Sequence, residues 1–157
     1  MWKKSKKVVM VSGGFDPVHI GHVRMFNEAK KLGDELVVYI NNDNWLRAKK
    51  GFVFMPEHER KEIIEAFVAV DRVIISNHKK DTKDMSVCVG LMKIKPHIFA
   101  NGGDRDEKDA NNPDSSLYKE RKIHKKLGIK MIYNVGHGGK IQSSSALVKK
   151  AKLKIKK

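Results

Sequence analysis

The chain has 157 residues, of which 40% are apolar and 32% charged, and it carries a formal charge of +15. That length suits one domain with a sizeable core, and the apolar share excludes a wholly disordered chain. No apolar run approaches the roughly 18 residues of a membrane span, and the single cysteine, Cys88, excludes an internal disulfide and a cysteine-based zinc site.

The charge is concentrated at the ends. Residues 3–7 and 149–157 hold ten lysines, and without them the charge falls from +15 to +5. The termini therefore read as a basic extension (residues 1–7) and a basic tail (residues 151–157) around a domain spanning residues 8–150. The apolar stretch after the first lysines is too short for a secretory signal, so a cytoplasmic protein is expected. The charge also raises nucleic-acid binding, expected only as non-specific contact through the ends, because no aromatics interleave the lysines.

In chain order, Val8–Ser12 is the first predicted strand. A Gly-rich turn follows, then a helix from about Gly21 to Leu32 with Val23, Phe26 and Ala29 on one face, ended by Gly33. Leu36–Asn41 is the second strand, and Asn41–Met55 a loop. Pro56 and Glu57 open a helix to about Val68, with Ile63, Ile64 and Phe67 as its inward stripe. Arg72–Ile75 is the third strand, and a weaker helix covers about Asp84–Met92. Ile98–Asn101 is a short fourth strand, followed by a long polar loop. A helix over Ser116–Leu127 stops at Gly128, Lys130–Asn134 is the fifth strand, and a last helix begins near Ser144. Alternating strands and helices predict a single doubly wound, Rossmann-like α/β domain with a five-stranded parallel sheet. Its ligands are expected beyond the carboxyl ends of the strands.

The loops at those ends hold most of the chemistry-bearing residues. After the first strand comes Gly13-Gly14-Phe15-Asp16-Pro17-Val18-His19-Ile20-Gly21-His22. Two glycines allow close backbone approach, and a helix N-terminus presents N–H groups to an anion. His19 and His22 share one face of the helix start, where imidazoles suit phosphate oxygens. A P-loop is excluded, because no Gly-Lys-Ser/Thr follows, and a zinc site lacks a third ligand. The second loop carries Lys49 and Lys50, with Arg60 on the next helix. The fourth strand ends in Asn101-Gly102-Gly103-Asp104-Arg105. Before the last helix stand Ser143, Ser144 and Ser145, which can cap it and contact phosphate.

Gly14-Phe15-Asp16 followed by His19-x-Gly21-His22 resembles the signature of the HxGH nucleotidyltransferase superfamily, and in particular its cytidylyltransferase-like families. The resemblance extends over about residues 8–150. It implies nucleotide contacts from Gly13, Gly14, Phe15, Asp16, His19, His22, Gly102, Gly103, Asp104 and Ser143–Ser145. It also implies that Lys49 or Lys50, together with Arg60, holds the acceptor and the leaving pyrophosphate, and that His19 and His22 contact the reacting phosphates. Asp16 is expected to orient the site or assist Mg²⁺, which a triphosphate carries. One departure is the pair Gly138-Gly139, with Lys140 the nearest cation, where the glycerol-phosphate branch has an arginine.

The expected activity is transfer of CMP or AMP from CTP or ATP to a small phosphorylated sugar or polyol, by a homodimer. A flavin or pantetheine phosphate acceptor is the alternative within the class. It is placed second because Trp45, Phe52 and Phe54 are the only aromatics in the second loop, and Phe52 and Phe54 alternate as a strand or core-facing pair would. A non-catalytic nucleotide- or nucleic-acid-binding module is the alternative outside the class.

Overall fold

The computed structural model describes residues 5–155 except 104, 137 and 139. Runs of valine and isoleucine form strands because β-branched side chains pack well on a pleated surface. The strands are β1 (Val8–Gly13), β2 (Glu35–Ile40), β3 (Arg72–Ile75), β4 (Ile98–Gly102) and β5 (Lys130–Val135). All pairings are parallel, in the order β3-β2-β1-β4-β5. The strand order reverses between β1 and β4, so the loops leaving these two strands diverge and open a crevice.

Period-two alternation splits the core in two. Val9, Val11, Leu36, Val38 and Ile40 face one layer, which receives Phe26 and Ala29 from α1 (Ile20–Lys30) and Ile64 from α3 (Glu57–Glu65). Met10, Tyr39 and Phe99 face the other, where Leu91 of α4 (Cys88–Ile94) and Leu117 of α6 (Ser116–Leu127) pack. Helix α4 docks so closely that a Cβ on Gly90 would lie 2.7 Å from the Tyr39 ring.

Several elements differ from the sequence expectation. The second loop contains a helix, α2 (Asp43–Lys50). The Asn42 side chain caps it by accepting from Trp45 N–H, Gly51 stops it in the left-handed region, and Leu46 anchors it. The long polar loop contains the short α5 (Glu107–Asn111), capped by Asp106. Helix α4 starts at Cys88 rather than near Asp84, because Asp84 and Thr82 hold their own turn. Ile63 points to solvent, and Ile64 takes the inward position. No strand forms at Phe52 and Phe54, and Phe54 is exposed. The last helix, α7 (Ser144–Ile155), carries the basic tail as regular structure to Ile155, with Lys152 Nζ 5.1 Å from the centre of the Phe52 ring.

Candidate active site

A cavity of about 300 Å³ lies at the crevice between β1 and β4. Its floor is the loop after β1. Phe15 takes a positive φ of 50° and turns its ring back over Gly13, where a Cβ would lie 3.0 Å from the ring. On Gly14 a Cβ would meet Leu46 Cδ2 at 2.9 Å, so α2 packs directly on the turn. The Asp16–Pro17 peptide is cis.

His19 and His22 form a reciprocal cap. The backbone N–H of Gly21 donates to His19 Nδ1 at 3.1 Å, and that of His19 donates to His22 Nδ1 at 3.2 Å. The rings stack with centroids 3.7 Å apart, and Phe15 meets His22 edge-on. A nitrogen that accepts from a backbone N–H carries no proton, so in the neutral rings the proton sits on Nε2. Both rings are held neutral. Burial pulls the His22 pKa down to about 3, with help from His19 and Lys50, and burial followed by Lys50 lowers that of His19. Both histidines line the cavity, and their Nε2–H groups are hydrogen-bond donors that pH does not switch near neutrality.

The two lysines separate. Lys50 lines the cavity, and Lys49 points to solvent. Burial lowers the Lys50 pKa and the Arg60 charge adds to this, while Asp16 opposes it.

Arg60 and Asp16 are buried and support the cavity from behind. The Arg60 guanidinium has no exposed surface and donates to the carbonyls of Met55 (2.9 Å), Gly14 (2.7 Å) and Asn41 (2.7 Å) and to Asp43 Oδ1 (2.7 Å). This corrects the expectation that it grips a phosphate, because four of its five N–H groups are spent on the fold. Asp16 is equally buried. Its two oxygens accept the backbone N–H groups of Phe54 (2.7 Å) and Met55 (2.6 Å). It orients the loop after α2 and is not among the residues that line the cavity. Among the described residues no group of three carboxylate, histidine or cysteine side chains is arranged to hold a metal.

Beyond the histidines, Gly102 and Gly103 line the cavity, and Asp104 lies outside the described residues. Gly102 is required by close approach, since a Cβ there would lie 2.5 Å from Met25 Sδ. Ser143 caps α7, its Oγ accepting from Ala146 N–H at 3.3 Å. Ser144 Oγ donates to the Pro17 carbonyl at 2.8 Å and ties this block to the first loop, while Ser145 lines the cavity exposed. Of the Gly138–Lys140 stretch, Gly139 lies outside the described residues and Lys140 lines the cavity.

Sequence reasoning missed the far wall. Trp45, Met85, Val87, Leu117 and Glu120 line the cavity on the side of α4 and α6. Trp45 Nε1–H donates to the Met85 carbonyl at 3.1 Å, which leaves its ring as the surface on offer. Asn41 and Asn101, at the ends of β2 and β4, also line the cavity, each with a buried polar atom lacking a partner among the described residues. Their position at strand ends was the available signal. For Glu120, inside a run of lysines, there was none.

The model of the cytidylyltransferase-like family matches residues 10–148. The chain belongs to that family. It is 38% identical over 99 residues to an FAD synthase of Ferroglobus placidus, an overlap covering 63% of this chain and 60% of that one. To an FAD synthase of Thermoplasma volcanium it is 34% identical over 144 residues, covering 90% and 92%. To the bifunctional protein HldE of a Nitratiruptor species it is 36% identical over 115 residues, covering 71% of this chain and 23% of that one. The chain thus spans less than two thirds of several relatives it matches. A crystal structure of the lipopolysaccharide core biosynthesis protein of Thermoplasma volcanium superposes with a TM-score of 0.65 at 29% identity, over 85% of this chain and 99% of that one. Thermotoga maritima TmcAL superposes at 0.66 with 14% identity, which speaks for the fold alone. No helix among the described residues is long and apolar enough to cross a membrane.

Proposed function

We propose that the protein transfers AMP from ATP to the phosphate of FMN. An oxygen of the acceptor phosphate bonds to the α-phosphorus, the α–β anhydride bond breaks, and pyrophosphate leaves with that electron pair. The observation that carries nucleotidyl transfer is the reciprocal imidazole cap. It holds two neutral rings at a helix N-terminus, each with an Nε2–H to donate to phosphate oxygens as charge builds on them. Lys50 supplies the cation beside them. No side-chain nucleophile is needed, so catalysis rests on positioning and charge stabilisation. Mg²⁺ enters this reading only as part of the MgATP substrate.

Two findings support a flavin over the sugar or polyol phosphate expected from the paired lysines. Only Lys50 of the pair lines the cavity, and the wall beyond it presents Trp45, Val87 and Leu117, a surface suited to a flat aromatic group. The FAD synthases among the relatives point the same way and favour ATP over CTP. The sugar-phosphate reading stands second, supported by the HldE relative. Pyrophosphate release, measured with ATP and CTP against FMN, phosphopantetheine, glycerol 3-phosphate and heptose 1-phosphate, tests both. Release with ATP and FMN alone is expected. Preference for a sugar phosphate moves the branch, and no release with any pair favours a binding module without turnover.

A further inference from the structure

Glu120 lies in the first turns of α6 and is 3% exposed, yet it lines the cavity. Among the described residues it makes one hydrogen bond, its Oε1 accepting the backbone N–H of Val87 at 3.0 Å. That bond has a structural purpose. Val87 precedes α4, whose N-terminus has no side-chain cap of its own, and the carboxyl of a neighbouring helix satisfies one of its free donors. A glutamine would serve equally well. The second oxygen makes no hydrogen bond among the described residues and, unlike Asn41 Oδ1 and Asn101 Nδ2, is not one of the fully buried unpartnered atoms, so it is open to the cavity that Glu120 lines. Glu120 lines the same cavity as Trp45, Met85, Val87 and Leu117 and as the His19–His22 pair.

We propose that Glu120 is the specificity-determining residue of the acceptor compartment, its free carboxyl oxygen hydrogen-bonding an oxygen of the non-phosphate part of FMN. The inference rests on reading this cavity as the acceptor site. The charged groups acting on Glu120 are Arg105 after β4, Asp84 before α4 and Asp109 on α5. Arg105 is itself held by Asp109 at 2.7 Å. Burial, reinforced by the two aspartates and opposed by the Val87 N–H and Arg105, raises the Glu120 pKa to about 7. A phosphorylated ligand adds negative charge nearby and favours the neutral acid further. In that form Oε2–H is a donor, suited to a ring carbonyl or a ribityl hydroxyl.

The test is the Kd for FMN, read from flavin fluorescence with the full chain at pH 6 and pH 8, with melting curves to establish folding. Glu120→Ala should weaken FMN binding about tenfold at pH 6, the scale of one lost hydrogen bond, while the Kd for ATP stays put. Glu120→Gln keeps the Val87 bond and a neutral donor, so it should match the wild type at pH 6. Wild-type affinity should fall between pH 6 and pH 8 more than that of Glu120→Gln. The phosphate of FMN titrates alike in both and cancels. The inference is overturned if FMN does not bind the wild type, if Glu120→Ala binds it normally, if Glu120→Gln is as weak as Glu120→Ala at pH 6, or if the two pH profiles coincide. Binding without pyrophosphate release would instead sink the adenylyl-transfer reading and leave this contact standing.

Discussion

Arg60, with no exposed surface, donates from Nη1 to the carbonyl of Gly14 at 2.7 Å and so ties α3 to the turn that begins the candidate site. The same nitrogen reaches the Asn41 carbonyl at 2.7 Å, so one guanidinium joins the loops leaving β1 and β2. Arg60→Ala should strand these carbonyls and the Asp43 carboxylate. The expected loss is about 3–5 kcal/mol of stability, the scale for removing one partner of a buried pair. Chemical denaturation measures it, and a variant as stable as the wild type would return Arg60 to a ligand-binding role.

The histidine pair should matter for turnover more than for folding. Either His19→Ala or His22→Ala should lower kcat by roughly 10²–10³, the scale for one preorganised donor. Loss of the cap should cost only about 1 kcal/mol of stability. Folded double variants that turn over at the wild-type rate would remove both from the chemistry.

Lys50→Ala and Lys49→Ala should part company. A charge-assisted contact of about 1.5–3 kcal/mol predicts a loss of roughly ten- to a hundredfold in kcat/KM for Lys50→Ala. Lys49→Ala, at an exposed position, should stay near the wild type. Equal losses would contradict the placement of Lys50 alone on the cavity.

His124 gives a pH prediction. It is 3% exposed, its ring meets Phe99 edge-on, and neither ring nitrogen has a partner among the described residues. Burial lowers its pKa to about 4 from 6.5. Between these values the unfolded chain binds a proton that the folded chain refuses, so stability falls as pH drops from 6.5 towards 4. His22, lowered to about 3, acts in the same direction. His124→Phe keeps the ring shape without the unpaired nitrogens. It should be neutral or stabilising at pH 7 and should flatten the acid loss. Tm measured between pH 7 and pH 5 decides this; a His124→Phe protein that loses Tm as steeply as the wild type would discard it.

Deleting residues 151–157 should leave ATP affinity almost unchanged and weaken non-specific polyanion binding, because fewer cations remain to release counterions. Lys152 lies over Phe52, just past α2. A large loss of ATP affinity on truncation would show that this contact supports the pocket.

The five strands, their parallel pairing and the turn from Gly13 to His22 were legible in the sequence because each rests on local signals: apolar runs, a glycine pair, a helix start. Local signals for α2 were present too, in Asn42 and Gly51, but were hidden by the charge between them. Tertiary structure alone decided which charged residues line the cavity. Lys49 and Lys50 are adjacent, yet a helix turns neighbours about 100° apart, so one reaches the cavity and the other solvent. Arg60 and Asp16 read as ligand groups in sequence, and nothing in the sequence singled out Glu120. Each is buried because its partners lie far along the chain: Gly14 is 46 residues from Arg60, Phe54 is 38 from Asp16 and Val87 is 33 from Glu120. A buried charge is tolerable only where such partners converge, and that convergence exists only once the sheet has formed.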